Sequence, residues 1–141
     1  MISENIKKYI SQITVQGKHH FLDGATNEQL IAFESKNGIV LPSQYKEWLR
    51  FSDGGELFLP AGVQLYGVAH NPVIEINDSN KPSEEYVVIG ALASGDPILC
   101  GKKGEQIAVY NYEAGRIEED EIYQDFCAFL NDLYALLGIG E

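Results

Sequence analysis

Two carboxylates set beside glycines, Asp53 in Asp53-Gly54-Gly55 and Asp96 in Gly95-Asp96-Pro97, are the residues of this chain that acid–base chemistry could use. Held within about 10 Å of one another across a cleft, such a pair can serve as proton donor and acceptor. The neighbouring glycines favour a plainer role, in which each Asp hydrogen-bonds backbone N–H groups of its own turn. His19 and His20 raise the possibility of a metal, but adjacent side chains diverge, and no nearby Cys or carboxylate set completes a site. Cys100 falls on a predicted strand and Cys127 on an apolar helix, which favours two reduced, buried thiols over a disulfide. There is no nucleophile elbow, no zinc-binding His-Glu pair and no phosphate-binding glycine loop with its lysine. The chain is therefore expected to be non-catalytic and to need neither cofactor nor metal. Trp48, Tyr66, Tyr110 and Tyr112 are better suited to a contact surface or a core than to a reaction.

Charge says more about partners. Residues 1–50 hold six basic and five acidic side chains, a balance of +1; residues 51–141 hold four basic and sixteen acidic, a balance of −12, and together these make the chain's −11. Binding to a phosphate backbone relies on basic residues that displace counterions, so nucleic acid is not expected as a partner. A cationic protein would be attracted instead, although an acidic surface also serves solubility alone. The first residues, MISENIKKYISQI, place Lys7 and Lys8 inside an amphipathic pattern and lack the apolar run of a secretory signal. With no stretch suited to crossing a membrane, the expected compartment is the cytosol.

The elements that would position these residues follow from periodicity. Ile2, Ile6, Tyr9, Ile10 and Ile13 trace one stripe of a first helix, and the stretch from Gly17 through His20 to Gly24 reads as a loop. Thr26 can cap a second helix carrying Leu30, Ile31 and Phe33, which Gly38 stops. Pro42 suits the first turn of a third, whose buried face is Tyr45, Trp48 and Leu49 and which ends at Asp53-Gly54-Gly55. Short apolar clusters then alternate with turns: 57–59, 63–66, 86–93, 98–100, 106–112 and 116–117, with a surface excursion at 71–85. The continuous apolar run Val87-Val88-Ile89 is expected of a strand covered on both faces. Ile122, Phe126, Phe129, Leu130, Leu133 and Leu137 trace a final helix, which Glu118, Glu119, Asp120 and Glu121 precede or open, where the helix dipole favours negative charge. The expected fold is α+β: two or three N-terminal helices, an antiparallel sheet of about five or six strands, and a C-terminal helix packed on it.

Leu41-Pro42, Tyr45, the bulky pair Trp48 and Leu49, Asp53-Gly54-Gly55 and Leu65-Tyr66-Gly67 occur in an order that resembles the SUKH superfamily, which joins bacterial immunity proteins with a domain of fungal cell-wall regulators. Residues 38–67 carry the resemblance most strongly. Gly95 and Asp96 between two strands, and Phe126, Phe129 and Leu130 on the last helix, extend it along the chain. It implies one SUKH-like domain over residues 1–141, acting as an immunity protein that neutralises a cognate bacterial toxin, often a nuclease, by direct binding. On charge, that toxin would be basic. The candidate partner-binding residues are Asp53, Glu56, Asp78, Glu84, Glu85, Asp96, Glu113, Glu118 and Glu119, with Tyr66 and Tyr112 as aromatic anchors. One alternative is a regulatory adaptor that binds a host signalling or cell-wall protein. Another is a small-ligand-binding domain or enzyme built around Asp53 and Asp96 in a pocket between sheet and helices.

Overall fold

The computed structural model describes residues 7–8, 11, 18–59, 62–69, 73–74, 86–92, 95–101, 104–111 and 113–137. In chain order its elements are β1 (Lys18–His20), α1 (Asn27–Asn37), α2 (Ser43–Phe51), β2 (Gly55–Leu59), β3 (Val63–Leu65), β4 (Tyr86–Leu92), β5 (Pro97–Gly101), β6 (Ile107–Asn111), β7 (Arg116–Tyr123) and α3 (Phe126–Leu137). Lys7, Lys8 and Ser11 are helical and exposed, whereas the apolar stripe expected of the first helix lies outside the described residues.

Local chemistry sets the helix ends. Thr26 and Gln29 form a reciprocal capping box at the start of α1: the Gln29 N–H donates to Thr26 Oγ1 at 3.1 Å and the Thr26 N–H to Gln29 Oε1 at 2.9 Å. Gly38 closes that helix in the left-handed conformation, at φ 64°. Helix α2 begins directly after Pro42 and has no side-chain cap of its own. Its first turn is capped from 62 residues away, where Glu105 accepts from the Ser43 N–H at 2.9 Å and from Ser43 Oγ at 3.0 Å. Helix α3 is capped by Asp125, which accepts from the Ala128 N–H at 2.8 Å, and by Gln44 of α2, which accepts from the Cys127 N–H at 2.8 Å.

The seven strands form one antiparallel sheet in the order β1-β2-β3-β4-β5-β6-β7, each beside its neighbour in sequence. Three features depart from the sequence-based expectation, the first being seven strands where about five or six were expected. The stretch at Lys18–His20, expected as a loop, is an edge strand; three residues show no alternation, and pairing with β2 is what orders them. Ile122, expected on the last helix, lies within β7, as does the acidic run at 118–121, which precedes the last helix and does not open it. Ile122 pairs with Ala108 and Tyr123 with Ile107, so the ladder extends past the acidic residues and α3 starts only at Phe126.

The core lies on the helix-bearing face. Val87, Cys100, Ile107 and Tyr123 form one cross-strand row, and Ile98 pairs with Val109, all packed with Leu30, Phe33, Tyr45, Trp48, Leu49, Phe126 and Phe129. Aromatic rings make its centre. Trp48 meets Phe51 at 5.4 Å and Phe126 at 6.2 Å, and Phe126 meets Tyr45 at 5.0 Å, mostly in edge or tilted geometry. The pleat sends the next row, Val88, Leu99, Ala108 and Ile122, to the opposite face, where the first three are also buried. Both faces of β4 are therefore covered, as its continuous apolar run requires. Trp48 is wholly buried at the meeting of these rings, so Trp48→Ala is expected to cost about 3–5 kcal/mol in chemical denaturation followed by circular dichroism. A loss below about 1 kcal/mol would contradict its place at the centre of the packing.

Candidate functional site

Helix α2 runs directly into a buried network of polar groups. Its last turn closes with the Ser52 N–H donating to Trp48 O at 2.8 Å, after which Gly54 and Gly55 reverse the chain at φ 100° and 119°. The reversal presents Asp53 inward, fully buried. Oδ1 accepts from the Val68 N–H and Oδ2 from the Ala69 N–H, both at 2.8 Å, so each carboxylate oxygen holds one of two successive amides 15 and 16 residues further on. Asp53 is expected to bond N–H groups of its own turn; these two bonds reach a distant segment. Gly67 makes the approach possible, because a Cβ there would lie 2.6 Å from Asp53 Cγ and 2.4 Å from the Asp53 carbonyl oxygen. Gly54 fits equally closely, with a hypothetical Cβ 2.7 Å from Leu65 O.

The surrounding polar groups serve the same junction. The Trp48 indole donates to Gly54 O at 3.0 Å, and Ser52 Oγ donates to the same carbonyl at 2.8 Å while accepting from the Leu22 N–H at 3.0 Å. The Asp53 N–H donates to Asp23 O and the Ala25 N–H to Leu49 O, which ties the loop before α1 onto α2. The Tyr45 hydroxyl lies 2.5 Å from Tyr66 O and 3.2 Å from Ile89 O, reaching β4 and the end of β3. Burial raises its pKa well above the usual 10.0, with Cys100 and Asp53 adding to the effect, so it remains a neutral donor. These groups are committed to holding backbone. Asp53 and Asp96 do not form the pair that acid–base chemistry would need: Asp53 leads into β2 and Asp96 into β5, three strand spacings or about 14 Å apart before their opposite ends are counted.

The other predicted contact residues divide between the two ends of the sheet. One end carries the hairpin turns joining β2 to β3, β4 to β5 and β6 to β7, and β1 starts there too. Half-buried Asp96 lies in the second, whose backbone is fixed by the Leu92 N–H donating to Asp96 O at 2.9 Å. Exposed Glu113 lies in the third, which Asn111 braces by accepting from the Ala114 N–H at 2.9 Å. Glu118 and Glu119 follow in β7. The register there passes from Tyr110↔Ile117 to Ala108↔Ile122, so residues 118–121 face Val109 alone and bulge from the ladder. At the opposite end stand the Asp53 clamp, half-buried Tyr66 packed against the core, and Glu56, paired with His20 and Gln64. Asp53 is thus withdrawn from the surface, whereas Asp96 and Glu113 lie in turns at one end of the sheet and Glu118 and Glu119 follow in β7. Asp78, Glu84, Glu85 and Tyr112 lie outside the described residues. The clamp on Val68 and Ala69 and the cap supplied by Glu105 had no signal in the sequence, because their partners are distant along the chain.

Among the described residues no His, Cys, Asp or Glu group could hold a metal ion, and no helix is long and apolar enough to cross a membrane. Both thiols are buried and free. Burial pushes Cys100 from 9.0 to about 12, helped by Glu105, and Cys127 from 9.0 to about 11, helped by Asp125 and Glu47. Neither is poised as a nucleophile.

A family model described as SMI1 / KNR4 family (SUKH-1) matches residues 24–132, which include the clamp, the sheet from β2 to β7 and the start of α3. The chain is also similar to an uncharacterized protein, YnaB, of Bacillus subtilis (strain 168), with 28% identity over 102 residues, 72% of this chain and 68% of that protein.

Two tests follow from the site. Asp53→Asn keeps the size but turns an NH₂ towards one backbone N–H, and Gly67→Ala forces a methyl group into the carboxylate; each is expected to cost about 2–3 kcal/mol. The single tryptophan reports unfolding by fluorescence, and a loss below about 0.5 kcal/mol in both variants would contradict the clamp. The thiols predict an alkaline limb. An unfolded chain releases these protons near pH 9 while the folded chain retains them, so their contribution is complete below pH 9 and is lost as the pH rises towards 11 and 12. Between about pH 8.5 and about pH 10.5, stability should fall more steeply in the wild type than in Cys100→Ala, and equal slopes would contradict this.

Proposed function

Because the chain belongs to the SMI1/KNR4 (SUKH-1) family, whose domains are immunity-like or regulatory, we propose that it is an immunity protein that binds and neutralises a cognate bacterial toxin in the cytosol. The observation that supports this best is the division of polar residues between the two ends of the sheet. At one end the family-like Asp53, Gly54 and Gly67 are spent on backbone contacts and maintain the fold. At the other, Asp96, Glu113, Glu118 and Glu119 occupy two hairpin turns and an edge strand, where residues can change without disturbing the core. A basic toxin, such as a nuclease whose groove holds phosphates, would be drawn to this end by long-range attraction. Carboxylates placed in that groove would compete with its nucleic-acid substrate.

Glu56 and Tyr66 stand at the other end of the sheet and would need a separate contact, and the predicted contacts Asp78, Glu84, Glu85 and Tyr112 lie outside the described residues. The rival reading is a regulatory adaptor for a signalling or cell-wall protein, which family membership supports equally at the coarser level. Capture at low salt with the tagged protein as bait, followed by salt elution, separates the two. A basic toxin domain inhibited by this protein supports immunity; a signalling protein, with no toxin recovered when the neighbouring genes are co-expressed, supports the adaptor. With the captured toxin, the double replacement Glu118→Lys, Glu119→Lys is expected to weaken association about tenfold or more at low salt and to flatten its salt dependence. Unchanged affinity at low and high salt would remove this pair from the contact surface.

A further inference from the structure

We draw no further inference here: the strongest candidate, the acidic bulge at residues 118–121 of the edge strand β7 with exposed Ile122 beside it, belongs to the contact surface already proposed, and no second feature of the described residues shows what covers it.

Discussion

A fully buried carboxylate is tolerable only when its oxygens are hydrogen-bonded, and Asp53 meets that condition by holding the Val68 and Ala69 amides. Much of the structure can be traced from this requirement. Asp53 must arrive at the end of a helix and face inward, so α2 stops at Phe51 and two glycines with positive φ turn the chain behind it. The held segment must come close, so position 67 has no side chain. Trp48 and Ser52 both donate to Gly54 O, which fixes the turn from the helix side, and Tyr45 fixes the end of β3 from the same helix. Residues widely spaced along the sequence are thereby made into one rigid corner between α2 and the sheet.

The corner also accounts for where the helices attach. Helices α1, α2 and α3 attach at this end or pack over the core, while the opposite end carries the hairpin turns from β2 to β3, β4 to β5 and β6 to β7. Contacts at the helical end are numerous and buried, so substitutions there act on folding. Contacts at the turn end are local, such as Asn111 bracing its own hairpin, so substitutions there leave the core alone. A scaffold of this kind can keep one fold while changing its partner. In β7 the bulge also interrupts the ladder of an edge strand, which makes it a poorer template for further strand pairing.

Much of the fold was legible in the sequence because its signals are local. Thr26 with Gln29, Gly38, Pro42 and the Asp-Gly-Gly turn mark helix ends within a few residues, and the meander follows from short strands separated by turns. What was not legible depends on partners far along the chain. Strand β1 exists because β2 lies beside it, and α2 starts cleanly because Glu105 reaches its first turn. The acidic run precedes the last helix without opening it, because ladder pairing by Ile117, Ile122 and Tyr123 carries β7 past it and outweighs a charge–dipole term of about 0.3–1 kcal/mol. Of the candidate site, the Asp-Gly-Gly signature reads as a fold element, yet the intervening strand hides its target at Val68 and Ala69.

Amide hydrogen exchange at Val68 and Ala69 tests the buried clamp most directly. Ala69 is exposed and both residues lie beyond the end of β3, so without the carboxylate their amides would exchange at rates typical of a loop. The Asp53 clamp predicts that both are protected to nearly the same degree as the amides of β4, and that they open only with global unfolding. Exchange of both at loop rates, with β4 still protected, would show that Asp53 does not hold the corner together.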